Sequence, residues 1–211
     1  MINSSLVTTS KFPLQPSTDK GLWLVFDIET NGLFDDVTDT FCVVCHDLIN
    51  NQTHKFKPDQ VNQALQLLSK ADVLIGHNIL IYDLPVLNKL YKITFSARII
   101  DTLVCTRLIW PKEVLYDLDD ELYQQVPIAL KGSASLKAWG YRLSNHKIDF
   151  KDFSEYSQEM LDYCVQDVMV TCNLLKYIIR QNYSQPALKL EHEFAIFIQK
   201  QIREGIPFDI D

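Results

Sequence analysis

The chain has 211 residues, 47% of them hydrophobic, enough for one large domain around a single core. Its net charge of −7 weighs against a passive, nonspecific nucleic-acid binder, though not against an enzyme that meets phosphate through cations held on carboxylates. No apolar run approaches the roughly 18 residues that a membrane-spanning helix needs.

Residues 1–21 are rich in Ser, Thr and Pro and read as a loosely ordered leader without the apolar core of a signal peptide. Residues 22–28 are an apolar run that predicts a buried strand. "FCVVCHDLI" predicts a second strand and "QTHKFKP" a third, joined by a hairpin at Asn50 and Asn51. Pro58 opens a helix with apolar residues at 61, 64, 65 and 68. "DVLIGHN" predicts another buried strand, and "DLPVLNKLYK" a helix with Pro85 in its first turn. "ARIIDTLV" continues as a strand or strand-to-helix passage. Residues 110–132, with Pro111, Pro127, Gly132 and the acidic Asp117, Asp119, Asp120 and Glu121, read as a solvated surface loop. A short helix follows in "SASLKAWGYRL", with Trp139 as a core residue, then long helices over 155–181 and 187–204. The pattern predicts an α/β domain: a mixed sheet with an antiparallel start and then parallel strands, covered by helices.

The five cysteines are an odd set without framework spacing and indicate a reducing cytoplasm. Cys42 and Cys45 form a C-x-x-C inside a strand with no second pair after it, which favours core packing over zinc.

Asp27 and Glu29 end the first strand. Side chains at i and i+2 of a strand point the same way, and two carboxylates held so close repel unless one takes up a proton or a cation lies between them. Asp83 stands just past a buried strand at a helix start, where a capping role competes with a catalytic one. Asp167 lies among Val165, Val168, Met169 and Val170, and a buried Asp is rare unless paired or metal-bound. Tyr163 precedes it by four residues and shares its helical face.

"DIETNGL", "HNILIYDLPVL" and "YCVQD" together resemble the three motifs of the DEDD 3′–5′ exonucleases, which have the ribonuclease H-like fold. One branch of that family carries His five residues before the last Asp, where this chain has Asp162. The other carries Tyr four before it, where this chain has Tyr163, the DEDDy pattern of proofreading domains. "IDTLVCTRLI", "SLKAWGYRL" and "YCVQDVMVTCNLL" are further similar to the exonuclease domain of podovirus family A DNA polymerases. The likeness runs from Leu22 onward and has no counterpart for the leader.

The resemblance implies an exonuclease domain over 22–185 and, over 186–211, a helix leading toward a polymerase. Palm, fingers and thumb have no counterpart here, so polymerase activity is not implied. Asp27, Glu29, Asp83 and Asp167 are implied as ligands of two Mg²⁺ or Mn²⁺ ions, with Asp27 bridging both, Glu29 and Asp167 at the ion that makes hydroxide and Asp83 at the second. Hard oxygen ligands suit these ions better than zinc. Tyr163 is implied to orient the attacking water. Thr30, Leu33, Asn78, Lys137 and Arg142 are the candidate substrate-binding residues, with Phe34 beside Leu33 as a wedge against the terminal base. Core packing competes for the last two, and a cap for Asn78. Lys131, Lys137, Arg142, Lys147 and Lys151 are the most basic stretch; phosphate contact and plain solvation compete there. His77 reads as structural.

The expected substrate is a single-stranded DNA 3′ end, the expected product a nucleoside 5′-monophosphate, and the setting a phage-infected bacterial cytoplasm. A separately encoded family A polymerase body is a second expected partner, met through the apolar stripe Leu190, Phe194, Phe197, Ile198 and Ile202. An RNA-trimming exonuclease and a non-catalytic polymerase-docking module are the competing readings.

Overall fold

Strand β1 (Trp23–Thr30) lies at the middle of the sheet because it is apolar on both faces. It pairs antiparallel with β2 (Thr40–Asp47), which pairs antiparallel with β3 (Gln52–Phe56). On its other side it pairs parallel with β4 (Val73–Gly76), and β4 with β5 (Arg98–Asp101). The order is β3-β2-β1-β4-β5, a mixed five-stranded sheet with an antiparallel start and a parallel side, as the pattern predicts. This computed structural model describes residues 21–145, 150, 152–205 and 207. The proposed leader and most of "IPFDID" lie outside the described residues, as do Lys147 and Lys151.

The period of two divides the sheet residues between two cores. Trp23, Val25, Cys42, Val44, Val73, Ile75 and Ile100 face helices α3 (Thr102–Ile109), α5 (Leu136–Arg142) and α6 (Gln158–Arg180). Leu24, Phe26, Ile28, Val43, Cys45 and Leu74 face α1 (Val61–Leu68) and α2 (Asp83–Tyr91). Cys42 and Cys45, three apart on a strand, therefore point to opposite faces and do not share an ion. Ser157 starts α6 by accepting the Met160 amide at 3.1 Å. The helix then buries Leu161, Cys164, Val168, Leu174, Leu175 and Ile178 on the sheet and its neighbours. Truncating a fully buried residue such as Leu174 to Ala costs about 2–5 kcal/mol.

Strand β1 outruns β4. The two are paired only over Trp23–Val25, and β4 stops at Gly76. A Cβ at Gly76 would lie 2.2 Å from the Ile79 side chain and 2.9 Å from the Phe26 carbonyl. A side chain there would have to displace both, so glycine is needed where β4 ends.

Two expectations are corrected. Residues 110–132 are not a loop: α4 (Lys112–Glu121) occupies their first half, and a single 3₁₀ turn spans residues 128–130. Leu115 and Asp119, four apart, give α4 its buried side. Asp119 is completely buried, unlike its exposed neighbours Asp117, Asp120 and Glu121. The second is Arg142, expected at substrate and instead buried against Asp119.

Helix α7 (Gln185–Glu204) packs on α3, with Leu188 and His192 buried. The His192 Nε2 accepts the Asp101 amide at 2.8 Å, so its Nδ1 carries the hydrogen given to the Leu188 carbonyl at 2.7 Å. Leu190, Phe194, Ile196, Phe197 and Ile202 are exposed, each by more than half. No helix among the described residues is long and apolar enough to cross a membrane.

Candidate active site

Asp27 and Glu29 project from the sheet face that α6 covers, beyond Trp23 and Val25 in the same period. Asp27 stays partly exposed, and Glu29 is buried. Helix α6 crosses directly over them. Its Cys164 Sγ lies 3.5 Å from both the Asp27 carbonyl and Asp27 Oδ2. One ligand atom each from Asp27, Glu29 and Cys164 falls within a 4.8 Å group. Asp167 follows Cys164 by three residues on the same helical face and is buried. Tyr163, half-buried, has its ring 5.7 Å from that of Phe150 and 6.1 Å from that of Phe153.

Asp83 is the first residue of α2, one past the cap position held by Tyr82. It is buried, and its Oδ1 has no hydrogen-bond partner. Burial, then the Asp101 carboxylate, push its carboxyl up to about 7, against the opposing pull of the Ile28 amide. A buried acceptor oxygen left without a partner can take a cation, a donor or a proton. Asp27 and Glu29 lie in one group, while Asp83 at the start of α2 and Asp167 on α6 are buried outside it; carboxylate oxygens are the donors that Mg²⁺ and Mn²⁺ take.

The substrate candidates separate. The Thr30 hydroxyl donates to the Gly32 carbonyl at 3.1 Å and meets the Tyr82 hydroxyl, which pins the loop after β1 to the start of α2. Leu33 is 77% exposed and free to meet a base, whereas Phe34 packs into the core beneath the Lys89 and Arg203 cations. Asn78 takes a left-handed backbone, φ 70°, and its side-chain oxygen is buried without a partner. Its amide donates to Asp101 Oδ1 at 2.8 Å, and that of Leu80 to Asp101 Oδ2 at 3.1 Å. Asp101 also caps α3 through the Leu103 amide. It thereby sets the loop that carries Asn78 and leads to Asp83. His77 bonds Thr102 at 2.9 Å, consistent with a structural role.

Lys137 is exposed on α5. Arg142 is not available to a phosphate. Its Nε and Nη2 each donate to the Asp119 carboxylate at 2.7 Å, and Nη1 to the Ser133 carbonyl at 2.7 Å, with both charged side chains fully buried. The buried acid of α4 claims it.

A cleft of about 620 Å³ runs from His77 and Asn78 past Arg107, Lys112, Lys131 and Ser135. Its cations make it locally positive on an acidic chain, although Lys131 is shared with Asp120. Reading the sequence missed Arg107, Lys112, Asp101 and Cys164. A signal existed for one of them, since an Asp directly before a helical run is a capping signature.

A family model of the RNase H superfamily, RNase_H_2, matches residues 24–179. Two curated relatives are each named DNA-directed DNA polymerase. That of Enterobacteria phage T3 is 31% identical, and that of Escherichia phage T7 is 30% identical. Both alignments cover 88% of this chain and 33% of the relative, so the chain spans about a third of the length of these polymerases. Among solved structures, Brucella melitensis NrnC with bound Mg²⁺ is 17% identical with a TM-score of 0.55, covering 91% of this chain and 92% of that one. The apo form of a nuclease is likewise 17% identical, with a TM-score of 0.56 and 91% of each chain covered. These two likenesses are of fold.

Proposed function

The chain belongs to the RNase H superfamily, and from that membership we propose that it is a metal-dependent 3′–5′ exonuclease that releases nucleoside 5′-monophosphates from single-stranded DNA. The observation that carries the proposal is the joining of Asp27 and Glu29 on β1 to the face of α6 that bears Tyr163 and Asp167, with the orphan oxygen of Asp83 at the start of α2. Asp27, Glu29, Asp83 and Asp167 are the residues that would hold two Mg²⁺ or Mn²⁺ ions. When bound, these supply charge neutralisation at phosphorus and a water acidic enough to attack.

The chain's own residues do the rest. Tyr163, braced by Phe150 and Phe153, orients the water through its hydroxyl; a phenol is a poor base at neutral pH, so its work is positioning. Leu33 lies against the terminal base, and Asn78 offers its unpartnered side-chain oxygen as an acceptor to the terminal nucleotide. Arg107 and Lys112 neutralise phosphates of the incoming strand in the cleft. DNA is favoured as substrate by the DNA polymerases among the relatives, and the same relatives favour a polymerase body as the partner.

The test is nucleotide release from end-labelled DNA and RNA single strands, with Mg²⁺ and with chelator. Release of mononucleotides from the 3′ end, dependent on metal and faster on DNA, is expected. Chelator-resistant degradation or release from the 5′ end overturns the reading. Faster release from RNA assigns the site to RNA trimming, and no release with any metal leaves a docking module.

A further inference from the structure

Leu33 and Asn78 stand on separate loops, and one residue of α7 touches both loops. Arg203 Nη2 donates to the Ile81 carbonyl at 2.9 Å, in the loop that carries Asn78 and leads to Asp83. The guanidinium carbon of Arg203 lies 4.5 Å from the centre of the Phe34 ring, in the loop after β1 that presents Leu33. We propose that Arg203 is a positioning residue for the exonuclease: it clamps the two loops together and so sets the gap between Leu33 and Asn78 that receives the 3′ end.

The surroundings support this. Each loop has its own anchor on a different element. Asp101 of β5 holds the loop after β4 through the Asn78 and Leu80 amides. Lys89 of α2 holds the loop after β1 by donating to the Phe34 carbonyl at 2.6 Å and the Asp35 carbonyl at 2.8 Å. Two residues then join loop to loop, one on each side of Leu33. Tyr82 donates its hydroxyl to the Gly32 carbonyl, and Arg203 lies over the Phe34 ring. Helix α7 is secured further back, where Leu188 and His192 are buried. A groove of about 480 Å³ runs between its C-terminal half and the first turns of α2, so the long Arg203 side chain supplies the contact that close packing does not. A guanidinium suits both partners at once. Its flat face lies over a ring while an N–H at its edge reaches a carbonyl, and the ammonium of lysine offers no such plane.

The proposal rests on the nuclease reading, and KM against kcat for nucleotide release from single-stranded DNA with Mg²⁺ tests it. Arg203→Ala is expected to raise KM about 10-fold, what a solvent-exposed hydrogen bond and a cation–π contact are together worth, with kcat unchanged. Arg203→Lys keeps the charge and is expected to behave like the alanine variant. Phe34→Leu should raise KM by itself, and adding Arg203→Ala to it should cost less than it does in the native chain, because the two side chains act as a pair. Lys200→Ala removes a cation about one turn earlier on α7, paired with Glu204, and should leave KM unchanged. Without substrate, hydrogen exchange in the loops after β1 and β4 should accelerate in Arg203→Ala while the sheet stays protected. An unchanged KM in Arg203→Ala, a loss confined to kcat, or unchanged exchange in both loops overturns the proposal. Full rescue by lysine also overturns it and assigns the residue to a DNA phosphate instead. A native chain that releases no nucleotide defeats the nuclease reading, and this proposal with it, before any variant is made.

Discussion

At Asp83 a carboxylate is buried without a hydrogen-bond partner for Oδ1, and the cost falls on the metal-free fold. Its folded-state value is raised to about 7, so the chain gains nothing from this group below the unfolded value of about 4 and loses stability as pH rises from there to about 7. Asp83→Asn is therefore expected to raise metal-free stability at pH 8 by about 1–3 kcal/mol and to leave it unchanged near pH 3.5. Mg²⁺ should stabilise the native chain and not the variant. Denaturant melts check both, and a less stable variant at pH 8 without metal contradicts the argument. For hydrolysis, Asp27→Ala and Asp167→Ala are expected to cost at least about 10³-fold with the fold intact, because each leaves phosphate charge uncompensated. Tyr163→Phe should cost about 10²-fold, since only a positioning hydroxyl is lost; single-turnover rates on DNA decide the order. The shared faces of Asp27 and Glu29, and of Tyr163 and Asp167, were legible because i and i+2 on a strand, and i and i+4 on a helix, point the same way. Arg142 was misread because a charge in sequence does not announce which buried partner neutralises it. Cys164 was missed because its contact with Asp27 bridges 137 residues.

Among the elements, α4 was hidden by its punctuation. Pro111, Pro127, Gly132 and the acidic run suggest a loop, and the inward pair Leu115 and Asp119 is too short a pattern to outweigh them. Asp119 and Arg142 then hold α4 to α5 through a fully buried ion pair. Asp119→Ala is expected to destabilise the chain by about 3–5 kcal/mol by stranding the guanidinium, and the double variant Asp119→Leu, Arg142→Met to recover most of that loss. Chemical unfolding separates the two, and a mild single variant overturns the pairing argument. Helix α7 has a different weak point. Burial lowers the His192 value, while the Asp101 carboxylate pulls it up. A lowered histidine contributes fully above its unfolded value of about 6.5 and loses its contribution as pH falls below it. A proton on Nε2 would also displace the Asp101 amide. Hydrogen exchange in α7 should accelerate, beyond the intrinsic pH effect, below about pH 6, and a flat profile there contradicts it.

Across the whole molecule, the sheet was the most legible part. The hairpin signal at Asn50 and Asn51 gave the antiparallel start, and strand–helix–strand spacing gave the parallel side. The separation of charge was not legible: a chain of net −7 nevertheless gathers Arg107, Lys112 and Lys131 along one cleft. If that cleft guides the strand, Arg107→Ala and Lys112→Ala each lower the salt dependence of DNA binding by about 0.7 in the slope of log K against log salt. Titrations at three salt concentrations measure it, and unchanged slopes place the strand elsewhere.

All five cysteines are reduced and sealed inside the fold, none exposed by more than 1%. A thiol reagent meets them only when the surrounding structure opens, so its labelling kinetics read out breathing of the native state with no added probe. Cys45 reports on the α1–α2 side of the sheet and Cys172 on the α6 side. Mass spectrometry of partly labelled chains would therefore show which layer lets go first. A single cysteine engineered onto the surface would take a dye without competition from the native five.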